Sequence, residues 1–168
     1  MAIAFDNAAS AALFSQNPSF SFTCTGSDRA LIVVKDSGAS AGLTCTYNGV
    51  SMTQIIQVAA TSPCTRPVTL FYLANPASGA NTVAFGGDNA GEDGTGYYAV
   101  ASYTGVSSSA TPDNSASSTQ GTGVTNTNTI TPSVSNCWHV AVFESGSAGQ
   151  AASVGTQRTV VSAAFGLY

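Results

Sequence analysis

The chain predicts an all-β fold, an antiparallel β-sandwich of about ten short strands, from three features of its sequence. Short β-branched and aromatic runs recur throughout, clusters of Gly, Asn, Pro and Ser separate them, and no stretch holds a helical apolar period. Eight Phe and six Tyr among 168 residues argue against disorder, although only 7% of the chain is charged. A hydrophobic share of 43% suffices for one core and the length is short for two, so residues 1–168 read as one domain.

The strand runs, in order, are residues 2–5, 20–25, 30–35, 43–47, 50–58, 68–74, 81–85, 97–103, 124–131, 138–143 and 160–167. In the second, Phe20, Phe22 and Cys24 alternate with Ser21, Thr23 and Thr25, which gives one apolar and one polar face. Cys24 and Cys45 lie in apolar runs and read as small buried hydrophobes, whereas Cys64, between Pro63 and Arg66, reads as exposed. Asn48-Gly49 separates residues 43–47 from residues 50–58, and both turn residues tolerate positive φ, so a tight hairpin is expected there. Residues 99–104 alternate small side chains under a facing sheet and stop at Gly105. Residues 86–96 and 107–123 are rich in Gly, Ser, Thr, Asn and acids and read as exposed loops. Residues 124–131 are polar on both faces for most of their length, which places them at a sheet edge or in a subunit contact. Residues 162–168 are apolar and form a terminal strand that needs a neighbour, from its own sheet or from another chain, with Phe165, Leu167 and Tyr168 as its contact residues. Jelly-roll-like and immunoglobulin-like orders share this alternation, so both stay open.

Composition excludes several function classes. The charged share is far below the usual value of about 25%, and about a quarter of the chain is Ser or Thr. With a net charge of −4 and four cations that form no cluster, there is no field to hold nucleic acid. No window approaches the ~20 apolar residues of a membrane helix. The first cation is Arg29, so the amino terminus lacks the basic start of a secretory signal and synthesis in the cytoplasm is expected.

Chemistry has few candidates. Asp88, Asn89, Glu92 and Asp93 share a glycine-rich loop that reads first as a solvated interaction loop, with Ca²⁺ coordination as the alternative; its spacing departs from the EF-hand pattern. His139 stands beside Cys137 and Trp138, but adjacent strand residues face opposite ways, so a hydrogen-bonded structural histidine is expected rather than a zinc ligand. The same lone histidine could serve any of many serines and so designates no hydrolase. Glu92, Asp93 and Glu144 are the candidates for a glycosidase pair, and nothing in the sequence brings them together. Tyr47, Tyr72, Tyr97, Tyr98, Tyr103 and Trp138 are available for a sugar platform, with packing inside the sheets the default.

Three stretches in order carry a resemblance: Thr46-Tyr47-Asn48-Gly49-Val50-Ser51-Met52-Thr53; Leu70-Phe71-Tyr72-Leu73-Ala74-Asn75-Pro76 with Gly79-Ala80-Asn81-Thr82-Val83; and Ala101-Ser102-Tyr103-Thr104-Gly105-Val106. Ala4-Phe5-Asp6, Cys24-Thr25-Gly26-Ser27 and Gly155-Thr156-Gln157-Arg158 extend it over most of the chain. The chain resembles a family of β-sandwich domains in structural proteins of tailed bacteriophages and in some bacterial surface proteins. The resemblance implies a non-enzymatic protein of the virion surface, either a capsid decoration protein or a domain of a head or tail fibre. Its partners would be the capsid shell, other virion proteins and copies of itself. It carries no catalytic residue or cofactor across. Similar domains continue past the position of Tyr168 with a further strand or two, which leaves truncation or a strand from a neighbour as the expected explanations. A glycan-binding module or surface adhesin is the alternative.

Overall fold

In the computed structural model the described residues are 2–13, 15–36, 42–61, 66–88, 96–108, 112–119, 127–144, 158–162 and 165–167. They form no helix, and their strands are β1 (Ala4–Leu13), β2 (Ser19–Cys24), β3 (Ala30–Asp36), β4 (Thr44–Tyr47), β5 (Val50–Ser51), β6 (Thr53–Val58), β7 (Val68–Ala74), β8 (Gly79–Gly86), β9 (Gly96–Thr104), β10 (Val142–Glu144), β11 (Thr159–Ser162) and β12 (Phe165–Leu167). A five-stranded sheet runs β1-β9-β3-β7-β6, a four-stranded sheet runs β2-β8-β4-β5, and a small third sheet runs β10-β12-β11. All pairings are antiparallel. The chain is therefore all-β and sandwich-like.

β3 opens with an unbroken apolar run, Ala-Leu-Ile-Val-Val, which suits a strand covered on both faces, and ends on Lys35 and Asp36. Alternation sends Leu31 and Val33 into the core between the two large sheets, where they meet Phe22, Tyr47, Phe71 and Val83. The other face of the same sheet holds a second cluster, in which Val34, Ala99, Ala101 and Tyr103 pack with Ile3, Val140 and Val142. β11 lies against β1 and β9, and β12 lies against β9, so the third sheet adjoins the outer side of this wall.

Polar ties fix the two large sheets to each other. The register of β1 on β9 shifts between Phe5 and Asn7, a bulge that re-aims Asp6. Its carboxylate accepts hydrogen bonds from Ser102 Oγ at 2.7 Å, from the Thr25 amide at 2.8 Å and from the Thr25 hydroxyl. Burial pushes the Asp6 carboxyl up, but these hydrogen bonds outweigh it and hold the group below its ordinary value. Within the core, the fully buried Tyr47 hydroxyl lies 3.1 Å from the Gly79 carbonyl and 3.2 Å from the Phe22 carbonyl, and accepts from Asn81 Nδ2 at 3.3 Å.

Several expectations hold. Asn48 and Gly49 have φ of 51° and 74°, as the two-residue hairpin between β4 and β5 requires. Cys24 and Cys45 are buried and free. Cys64 lies outside the described residues.

Others are corrected. The run 2–5 becomes a ten-residue strand, Ala4–Leu13, because Asn7 to Leu13, an Ala-rich stretch with weak strand propensity, pairs along its whole length with β9. The run 50–58 is two strands in different sheets: at Met52 the chain leaves β4's sheet for β7's, with the Met52 amide donating to the Cys45 carbonyl at 2.9 Å. Residues 127–131 are exposed or half-buried and outside any strand, and of 138–143 only Val142 and Phe143 enter one. Residues 124–126 lie outside the described residues. The terminal run, whose expected neighbour is a strand of its own sheet or of another chain, finds it in its own sheet: β12 sits between β10 and β11, so the backbone at Phe165 and Leu167 is paired on both sides. Tyr168 lies outside the described residues.

Replacing Tyr47 by Phe removes the hydroxyl proton available to the Phe22 or the Gly79 carbonyl and one acceptor of the Asn81 amide, and should cost about 1 kcal/mol in denaturant-induced unfolding with no change of fold.

Candidate functional site

Of the acidic loop, Asp88 is described, and it overturns the expectation of a solvent-facing group: it is 1% exposed. Gly87 makes the inward turn, with a φ of 71°, and a Cβ there would stand 2.3 Å from the Gly42 carbonyl oxygen. The Asp88 amide then donates to Asn17 Oδ1 at 3.0 Å, and the carboxylate meets Lys35 Nζ at 3.3 Å. Both side chains of the pair are sealed from solvent. The Lys35 ammonium also donates to the Asp36 carbonyl and lies 6.0 Å from the centre of the Phe85 ring. Burial pulls Lys35 below its ordinary pKa, and the Asp88 carboxylate opposes that pull. A sealed pair of this kind is out of reach of a substrate, and its local role is to neutralise two buried charges. Asn89, Glu92 and Asp93 lie outside the described residues, so the glycosidase candidates are represented by Glu144 alone, half-buried on β10. Among the described residues no group of three His, Cys, Asp or Glu side chains is placed to hold a metal ion.

The chain carries the Gly-x-Ser-x-Gly spacing once, at Gly38, Ser40 and Gly42, between β3 and β4. A nucleophile elbow needs a strand, a sharp turn and then a helix, and here the next element is the strand beginning at Thr44. Residues 37–41 lie outside the described residues. His139 is exposed, on the segment leading into β10.

The accessible candidate is an aromatic–arginine patch over the outer face of β1 and β9. Phe5 at 38% and Trp138 at 46% exposure are two of the exposed large apolar side chains, and Val134, at 62%, is on the same segment as Trp138. Tyr103, buried, meets both rings edge-on, with centroids 6.2 Å from Phe5 and 5.7 Å from Trp138. The Arg158 guanidinium lies 4.5 Å from the Phe5 ring centre and 5.8 Å from that of Trp138, bridging the two. Beside it opens a cavity of about 570 Å³ lined by Ala2, Ile3, Asn136, Cys137 and Trp138. Asn136 turns the chain at φ 62°, and the Cys137 thiol donates to the Val134 carbonyl at 3.4 Å.

Sequence reasoning weighed Tyr103 and Trp138 among six aromatics but had no signal for Phe5 and Arg158, which stand far apart in sequence and meet through β1. Of the other aromatics, Tyr47 is fully buried, Tyr98 is buried and stacks on Phe20 at 3.8 Å, and Tyr72 and Tyr97 are half-buried.

Lys35→Met should destabilise the fold by about 3–5 kcal/mol in denaturant-induced unfolding, because it strands the Asp88 carboxylate; Lys35→Met with Asp88→Leu should recover most of that loss. No protein-family model, curated protein or solved structure matches the chain.

Proposed function

We propose that this chain is a non-enzymatic structural protein of a bacteriophage virion, a capsid decoration protein or a head or tail fibre component, seated by contacts with the capsid shell and with copies of itself. The observation that carries the reading is the Phe5–Arg158–Trp138 patch. On a charge-poor surface, two exposed aromatic rings held by one guanidinium have the composition of an interface core rather than of a solvated face. The exposed segment 131–139 presents Val134 and Trp138 together, and Asp113 braces it by accepting from the Ser133 amide at 2.6 Å. The sequence resemblance supplies the particle.

A second reading has its own observation. Trp138 borders a cavity of a size that suits a small ligand, with the Asn136 amide beside it, and an exposed ring next to a polar group is how a saccharide is bound. On that reading the chain is a glycan-binding module or surface adhesin.

Gradient sedimentation of native material with mass spectrometry separates the two. The structural reading expects stoichiometric recovery with intact particles, and expects Trp138→Ala to weaken attachment about 30-fold, ~2 kcal/mol, while the melting temperature stays within a few degrees. Recovery only as free protein, with sugar binding lost in Trp138→Ala, contradicts it and supports the glycan module.

A further inference from the structure

Lys35 meets the Asp88 carboxylate at 3.3 Å, Arg66 Nη1 lies 3.7 Å from Asp36 Oδ2, and Arg29 shares the field of Asp6 while it donates to the Pro76 and Gly26 carbonyls. Arg158 is placed differently. The pairing of β1 with β9 sets Phe5 opposite Tyr103, and Arg158, immediately before β11, lies over Phe5 and Trp138. Among the described residues no carboxylate stands at ion-pair distance from its guanidinium.

An aromatic ring attracts a guanidinium through its face but supplies no acceptor, so these contacts position the charge without consuming its five N–H donors. Burial pushes the Tyr103 hydroxyl above its ordinary pKa, and Arg158 opposes that rise by its charge and as a hydrogen-bond partner. One hydroxyl oxygen satisfies part of the fork, and Arg158 is only half-buried. A planar carboxylate is the group that matches the rest, because its two oxygens accept two parallel N–H bonds.

The surroundings select what carries that carboxylate. Trp138 touches Arg158 on one side and on the other lines the cavity of about 570 Å³, which Asn136 also lines. That volume lies in the range of small-ligand sites rather than of flat protein contacts. The exposed indole suits the C–H face of a sugar ring, and the Asn136 amide offers both donors and an acceptor to ring hydroxyls. A net charge of −4 repels a long polyanion, whereas a single carboxylate at the rings sits well inside the ~8 Å over which Arg158 acts at physiological salt.

We infer, on the glycan-binding reading of this patch, that it is a site for a carboxylate-bearing saccharide, with the sugar face on Trp138, ring hydroxyls on Asn136 and the carboxylate on Arg158.

Trp138 is the one tryptophan of the chain, so the intrinsic fluorescence of the full-length protein reports the site directly. Glucuronate and N-acetylneuraminate are titrated against glucose, a sugar without the carboxylate, and acetate, a carboxylate without the sugar. At least one of the two acids should shift the emission and bind about tenfold or more tighter than glucose, the gap expected of a charge-assisted hydrogen bond. Raising the salt should narrow that gap in the wild type. Arg158→Met should bring the acid down to the level of glucose and leave glucose unchanged, and Arg158→Lys, a point charge without the fork, should lose most of the preference. Acids that bind no better than glucose, or that keep their advantage in Arg158→Met, overturn the inference while the glycan reading stands. Acetate that reproduces the effect of the acids overturns it too, because the sugar is then irrelevant. No response to any sugar overturns both. If Arg158→Met does not fold, the wild-type salt series and Arg158→Lys decide in the same way.

Discussion

Burial of β3 on both faces is the constraint from which the rest of this structure follows. Leu31 and Val33 are required by one core and Val34 by the other, so the strand must lie inside its sheet with neighbours on each side, β7 and β9. That position makes the five-stranded sheet a wall shared by two apolar clusters. β9, which pairs with β3, serves both clusters as well: Tyr98 and Val100 belong to the inner one, and Ala99, Ala101 and Tyr103 to the outer one.

The same constraint accounts for the buried charges. β3 ends on Lys35 and Asp36, and a strand covered on both faces carries both side chains inside. Each side chain must then meet opposite charge, because an isolated ion in such a place costs several kcal/mol. The inner face meets this need with Asp88, delivered by the turn at Gly87, and the outer face meets it with Arg66. A protein with so few charges thus draws half of its cations to one strand end.

Signals in the sequence are legible where the chemistry is local. Alternation in Phe20 to Thr25, positive φ at Asn48-Gly49 and the apolar character around Cys24 and Cys45 each act over a few residues, and each appears as expected. The failures are non-local. The stretch from Asn7 to Leu13 has poor strand propensity and is a strand because β9 pairs with it over its whole length. Met52 gives no local sign that the chain changes sheets there. Asp88 sits in a glycine-rich acidic stretch whose composition signals solvent, and it is buried because Lys35, more than fifty positions away, needs a counter-charge. Phe5, Trp138 and Arg158 likewise form one patch from three distant segments, which no spacing rule could assemble.

Native-state hydrogen exchange along β3 tests the doubly covered strand most directly. If β3 is the shared wall of two cores, the amides of Ile32, Val33 and Val34 exchange only through global unfolding and are among the slowest in the chain, well behind those of the edge strands β5 and β6. Exchange of those amides as fast as at the sheet edges would contradict the arrangement, and with it the explanation of the buried charges.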